Sequence, residues 1–165
     1  MKIDFDERDP SQSQYIGSTL DEIAMLSWMA GIWEGEGTVM IDRSYSLLVL
    51  VTNCDRLILE PFQRFGGKVR STGKRKNPNH RECFVWRIVG SDAAYFLRRI
   101  VPYCRSEKKA RVWLGIRYQE VRALPSDLIH GAGRGRGSQL PPGWEEERQQ
   151  FFDQMKALNK KGPRD

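Results

Sequence analysis

Met29-Ala30-Gly31-Ile32-Trp33-Glu34-Gly35-Glu36-Gly37 decides how this chain is read, because it joins a helix end, a glycine-made turn and two carboxylates within nine positions. Upstream, Ile23, Leu26, Ala30 and Trp33 fall at helical spacing, with Ser18, Thr19 or Asp21 available as N-cap and Glu22 early in the first turn. The pattern predicts a helix over Asp21 to Trp33, ended by Gly35 and Gly37. Ala30 and Gly31 lack bulk, so a second such helix can approach backbone against backbone. Glu36, between two glycines, then lies at the floor of that contact. A Gly-Glu-Gly run also occurs in ordinary surface turns, so the rest of the chain has to decide between a turn and a site.

The chain has 165 residues, 39% hydrophobic and 10% aromatic, which is enough for one core and predicts one domain with terminal extensions. The expected division is a tail over 1–17, a domain over 18–125, a Gly/Arg/Pro-rich linker over 126–143 and a helical extension over 144–165. No apolar run nears the roughly 20 residues needed to cross a bilayer, and the acidic stretch Met1 to Asp9 is unlike a signal peptide. The reading is a soluble, intracellular protein of the cytoplasm or an organelle matrix, with access to DNA and no membrane partner. Cys54, Cys83 and Cys104 are widely spaced and odd in number. They predict reduced, partly buried thiols rather than a disulfide framework or zinc site. His80 and His130 are the only histidines, which argues against a cluster of histidine ligands.

Net charge is +6, unevenly spread: residues 1–36 carry two basic and eight acidic side chains, whereas residues 37–125 carry eighteen basic and seven acidic. Arg64, Lys68, Arg70, Lys74, Arg75 and Lys76 fall within thirteen residues that contain no acid, and Arg81 and Arg87 follow. A solvated basic loop is the common fate of such a run. Here the charges also occupy alternating strand positions, which makes a phosphate backbone the better partner.

The middle of the chain predicts a repeated order of elements. Thr38 to Ile41 and Tyr45 to Val51 form a hairpin around Asp42, Arg43 and Ser44. Asp55 to Phe65 is helical in pattern, with Asn53 or Asp55 as cap and Pro61 as a blemish, and Gly66-Gly67 stops it. Lys68 to Ser71 and Cys83 to Val89 form a second hairpin around a long polar loop. Ser91 caps a third helix through Ile100, Pro102 breaks it, and a fourth runs from Ser106 or Glu107 to about Ala123. The fold class is α+β, in the order αββαββα.

That order and several local phrases resemble the LAGLIDADG homing endonuclease family in its single-motif, homodimeric form. The nine residues from Met29 to Gly37 align with the family's signature. Asn53 then follows Leu50-Val51-Thr52, Phe65-Gly66-Gly67-Lys68-Val69 ends a helix, Trp86-Arg87-Ile88 precedes Ala94-Tyr95-Phe96-Leu97, and Pro102-Tyr103 leads to Lys108-Lys109. The resemblance covers residues 21–122. It implies a curved four-stranded antiparallel sheet that serves as a saddle in the DNA major groove, wide enough to accept a β-ribbon.

Strand alternation then sorts the side chains. With Tyr45, Leu47, Val49 and Val51 inward, Ser44, Ser46, Leu48, Leu50 and Thr52 face DNA; with Val69, Trp86 and Ile88 inward, Lys68, Arg70, Thr72, Val85 and Arg87 face it. Arg43, Ser44, Ser46, Lys68, Arg70, Thr72, Lys74, Arg75, Lys76, Arg81 and Arg87 are the expected DNA-binding residues. Leu48 and Leu50 depart from a polar readout face: they contact thymine methyl groups or dock the C-terminal extension.

A single signature implies that two chains complete one site, so the resemblance makes the protein a homodimer through Leu26, Met29, Ala30, Gly31 and Trp33. Both Glu36 carboxylates then lie near the two-fold axis, where with the Gly35 carbonyl they suit magnesium, or manganese in its place. Glu34 takes a structural role. Asn53 matches a position that orders water near the scissile phosphate, with a helix cap as its simpler role. A basic residue supports the site at the start of the fourth helix, where Glu107 occupies the aligned position and Lys108 the next; Lys108 is assigned. The implied activity is double-strand hydrolysis at a long pseudo-palindromic site. The alternative is a noncatalytic nucleic-acid binder, such as an RNA maturase of introns or a DNA-binding regulator. An intact acid at Glu36 favours the first.

Beyond the resemblance, Gly131 to Gly137 alternates Gly and Arg, and Pro141-Pro142-Gly143 leads into a predicted helix from Trp144 to Leu158 with Phe151, Phe152, Met155 and Leu158 on its apolar side.

Overall fold

The computed structural model describes residues 19–73, 81–122 and 143–160. The first helix, α1 (Leu20–Glu36), starts at Thr19, whose hydroxyl accepts from the Glu22 N–H at 3.3 Å. It runs three residues past the predicted end at Trp33 and takes in Gly35 and Glu36. Gly35 does not break it, because packing of Met29, Ala30 and Trp33 outweighs the small helix penalty of an internal glycine, whereas Gly37 does end it, as expected. At Gly37, which caps the helix through its N–H to the Trp33 carbonyl, a Cβ would lie 2.4 Å from that carbonyl oxygen and 2.3 Å from the Trp33 ring. Only glycine fits between helix and strand there.

Four strands follow in two hairpins: β1 (Gly37–Ile41), β2 (Leu47–Asn53), β3 (Lys68–Ser71) and β4 (Phe84–Val89). They make one antiparallel sheet in the order β1-β2-β4-β3. Between the hairpins, α2 (Arg56–Leu59) gives way to a 3-10 turn over Glu60–Phe65. Pro61 explains the early end, since it has no N–H for the α pattern. Gly67 has φ +72°, and a Cβ there would meet the Arg87 carbonyl oxygen at 2.3 Å, so glycine is required where the chain enters β3. The remaining helices are α3 (Gly90–Ile100), α4 (Lys109–Arg122) and α5 (Trp144–Asn159). The sequence places the α3 cap at Ser91, but the cap is Val89, two residues earlier, and makes no side-chain hydrogen bond.

Alternation puts Val39, Ile41, Leu47, Val49, Val51, Trp86 and Ile88 in the core, beneath residues of α1, α3 and α4. Phe62, Trp86 and Phe96 pack with ring centroids 5.0–5.8 Å apart, and the Trp86 indole N–H donates to the Gly66 carbonyl at 2.9 Å. Helix α5 docks against β1 and α4: Met155 joins the core, and the Asn159 amide donates to the Val39 carbonyl at 2.9 Å, covering a backbone group of an edge strand.

The cysteines differ from the expected three thiols. Cys54 and Cys83 extend the β2–β4 ladder by one pair beyond Asn53 and Phe84, with Cα atoms 4.0 Å apart, and are joined as a disulfide. Sequence spacing carries no signal for this, because the pairing comes from sheet register across 29 residues. Cys104 stays a thiol, its Sγ directed at the Ile100 carbonyl, and burial pushes its pKa up to about 12. Among the described residues, no helix is long and apolar enough to cross a membrane.

Candidate nucleic-acid interface and catalytic site

Glu36 is the last residue of α1, exposed, at the point where the helix meets β1. The turn that leads into α4 supplies its neighbour. The Lys108 ammonium donates to the Gly37 carbonyl at 3.0 Å and lies 5.8 Å over the Trp33 ring. Burial and the Arg111 cation hold the Lys108 pKa below its ordinary value, against the opposing pull of the Glu34 and Glu36 carboxylates. The ammonium thus sits on the carbonyl of the residue that follows Glu36.

Glu34 is held by the turn before α4. Its carboxylate accepts from the Arg105 and Ser106 backbone N–H groups at 2.8 and 2.5 Å, tying the end of α1 to the turn before α4. Burial alone would raise its pKa; the Ser106 and Arg105 hydrogen bonds and the Lys108 charge outweigh that and leave it lowered from 4.5. A lowered carboxyl stabilises the fold above its unfolded pKa, and that contribution disappears as pH falls through the folded value. Glu34→Gln should cost about 1 kcal/mol at neutral pH, as lost caps do. The deficit should shrink as pH falls below 4.5. Thermal melts of both proteins across that range check it; a deficit constant with pH would place the effect elsewhere.

Asn53 ends β2 at the same end of the sheet where β1 begins, since Gly37 pairs with Val51. Its side-chain oxygen accepts from the Asp55 N–H at 2.8 Å, while Asp55 itself caps α2 through the Leu57 N–H at 2.9 Å. In this structure the Asn53 carbonyl shapes the turn into α2.

The expected dimer contact needs correction. Leu26, Met29, Ala30 and Trp33 are 3%, 0%, 0% and 0% exposed within a single protomer, so they belong to its core and are not available to a second chain. Gly31 is exposed, with nothing within 4 Å of a Cβ built on it. It shares an exposed stripe with Ala24, Ser27 and Gly35, and the Ser27 hydroxyl is satisfied by the Ile23 carbonyl at 2.8 Å. The signature's small residues thus sit one helical step from its apolar ones. Helical phase, followed to residue 35, carries that signal.

On the outward face of the sheet, register forms three rows. Nearest the Glu36 end are Thr52, Val85 and Arg70. Next come Thr38, Leu50, Arg87 and Lys68. Farthest out are Met40, Leu48 and Val89. Lys68, Arg70 and Arg87 are exposed, as are Arg43 on the first hairpin turn and Arg81 before β4. Ser44 and Ser46 are engaged by the Asp42 carboxylate, which accepts from both backbone N–H groups at 2.9 and 3.0 Å and from the Ser44 hydroxyl at 2.6 Å. The Thr72 hydroxyl donates to the Cys83 carbonyl at 3.0 Å. Lys74, Arg75 and Lys76 lie outside the described residues.

Sequence reasoning missed what fixes the first hairpin turn. Tyr45 takes φ +55°, a left-handed conformation costly for a non-glycine residue. Its carbonyl accepts from the Tyr118 hydroxyl at 2.5 Å and the Arg122 guanidinium at 3.0 Å, and its own hydroxyl donates to Gln149 of α5 at 2.7 Å. The extension therefore braces the turn, which corrects the idea that it docks on Leu48 and Leu50.

No family model matches the chain, and no curated protein does. Solved structures do. The homing endonuclease I-CvuI in complex with its target, in the presence of calcium, aligns over 89% of both chains with a TM-score of 0.62 at 19% identity. The same endonuclease with an I-CreI target in the presence of magnesium, its DNA not cleaved, gives a TM-score of 0.61 at 17% identity over the same coverage. The archaeal intron-encoded homing endonuclease I-Vdi141I complexed with DNA gives 0.54 at 16% identity, covering 87% of this chain and 89% of that one.

Proposed function

We propose that this chain, which has the fold of the LAGLIDADG homing endonucleases, is a site-specific DNA endonuclease that acts as a homodimer and hydrolyses both strands of a long pseudo-palindromic duplex. The observation that carries the reading is an exposed Glu36 at the end of α1, next to Gly37, whose carbonyl holds the Lys108 ammonium at 3.0 Å, at the edge of a sheet that bears Lys68, Arg70 and Arg87. A pure binder gains nothing from an exposed carboxylate that faces phosphates.

The donor set fits a hard divalent cation shared by two protomers. One protomer has no group of three or more His, Cys, Asp or Glu ligands among its described residues, and two-fold pairing along the exposed Ala24–Gly35 stripe would bring a second Glu36 to the first. Glu36 and the Gly35 carbonyl would hold magnesium or manganese at the negative end of the helix dipole. When bound, the cation supplies Lewis acidity for in-line displacement at phosphorus. Lys108, fixed by the Gly37 carbonyl and the Trp33 face, holds positive charge beside the phosphate as negative charge builds there. Asn53 holds the β2–α2 turn and, through its remaining amide group, orients water at that end of the sheet.

The basic rows bind and orient the duplex. Arg87→Gln should weaken binding at every sequence and reduce the dependence of log K on log salt by about one phosphate's worth of counterion release. Titrations at several salt concentrations check this; an unchanged slope would remove Arg87 from the phosphate contacts.

A further inference from the structure

We infer that the outer segment of each DNA half-site is read through thymine 5-methyl groups, by an apolar corner that Met40, Leu48, Leu50 and Val89 form on the outward face of the sheet. The inference rests on the DNA-binding reading above and names what part of the duplex this face selects.

Register places these four side chains together. Leu48 pairs with Met40 on one side and Val89 on the other, and Leu50 lies two residues along the same strand. Their sequence neighbours Val39, Leu47, Val49 and Ile88 fill the core cluster; Met40, Leu50 and Val89 lie outside it, and Leu48, though buried, is not part of that cluster. Leu48 is 6% exposed and forms the floor of the corner; Val89 is 47% exposed, and Met40 and Leu50 are half-buried around it. Val89 and the half-buried Met40 and Leu50 leave apolar side-chain surface facing outward beside the cations, and burying it against an apolar group is favourable. The C-terminal helix does not serve: α5 docks on β1 and α4, with Met155 in the core and Asn159 on the Val39 carbonyl.

Charge identifies the occupant. Leu50 pairs directly with Arg87, and Arg87 with Lys68, so the corner is continuous with exposed cations on the same face. A surface that pairs apolar side chains with phosphate-binding cations fits the major groove, where the one apolar group at a base edge is the thymine methyl. A hydrophobic partner protein would leave Arg87 and Lys68 facing apolar surface. Successive outward rows lie about 7 Å apart, about two base-pair steps. The corner therefore addresses pairs up to about four steps farther from the cleavage centre than those facing Thr52 and Arg70.

The test selects duplexes from a randomised library with the full chain in buffer free of divalent cations, then replaces each dT of the winner by dU, which removes only the methyl group. We expect one or two outer positions per half-site at which dU weakens binding about threefold to fivefold, the worth of one buried methyl group. The salt dependence should stay unchanged, in contrast to Arg87→Gln. Leu50→Ala and Val89→Ala, at a half-buried and an exposed position outside the core, should bind the dT and dU duplexes equally. Enrichment of a duplex that tolerates dU everywhere, or a dT preference that survives both variants, overturns the inference and leaves the DNA-binding reading intact. Failure to enrich any duplex overturns both.

Discussion

Glu36→Gln should bind the selected duplex at least as tightly as the native chain and cut it more than about a hundredfold more slowly. Glutamine keeps the shape of the side chain and removes its charge. The side chain is exposed at the end of α1 and contributes nothing to the core, so stability should hold. Binding should be unchanged or tighter, because two carboxylates near the phosphates repel them and two amides do not. The rate should collapse because the charge that attracts a divalent cation is gone; outer-shell partners of metal sites alone are worth about 10–100-fold. Parallel anisotropy and strand-cleavage assays separate the two effects. Native-rate cleavage by the variant would remove Glu36 from the chemistry.

Gly31→Leu should leave the protomer folded and break the dimer. A Cβ at residue 31 meets nothing within 4 Å, and leucine is a better helix former than glycine by about 1 kcal/mol. The protomer should therefore be as stable as the native chain or slightly more so. In a two-fold contact the added side chain enters twice. Overpacking costs about 1–3 kcal/mol per site, so self-association should weaken by roughly 30-fold or more. Sedimentation at graded concentrations reads this directly, and double-strand cutting should fall with it. A variant that dimerises like the native chain would show that the exposed stripe of α1 is not the contact.

Much of the architecture was written in local pattern. The αββαββα order, both hairpins and the terminal helix follow from apolar periodicity and from the Gly, Pro and Asn that interrupt it. Pro61 announced the break that became a 3-10 turn. What stayed hidden depends on contacts distant in the chain. Glu36 looked like a turn residue, yet the burial of Trp33 and the space at Gly37 carry the helix through it. Leu26, Met29, Ala30 and Trp33 resemble an interface in sequence because the signature places buried and exposed residues side by side; a protomer's own core claims them, and the exposed face lies one step round the helix. The Cys54–Cys83 pair and the left-handed Tyr45 are products of sheet register and of packing from α4 and α5, which no local spacing encodes.

At the candidate site, the structural role expected of Glu34 agrees with its contacts to the Arg105–Ser106 turn, and Glu36 is left exposed. The position of Lys108 was less legible. It is one residue beyond the aligned place, and only the start of α4 at Lys109 brings its ammonium to the Gly37 carbonyl.

The most direct measurement adds magnesium to the native chain bound to a duplex selected without divalent cations, and follows both strands on a denaturing gel. The proposed function predicts a break in each strand near the centre of the pseudo-palindrome, dependent on magnesium or manganese. Saturating, sequence-specific binding with both strands intact under either cation would contradict it, and would make this protein a binder that has kept the fold without the chemistry.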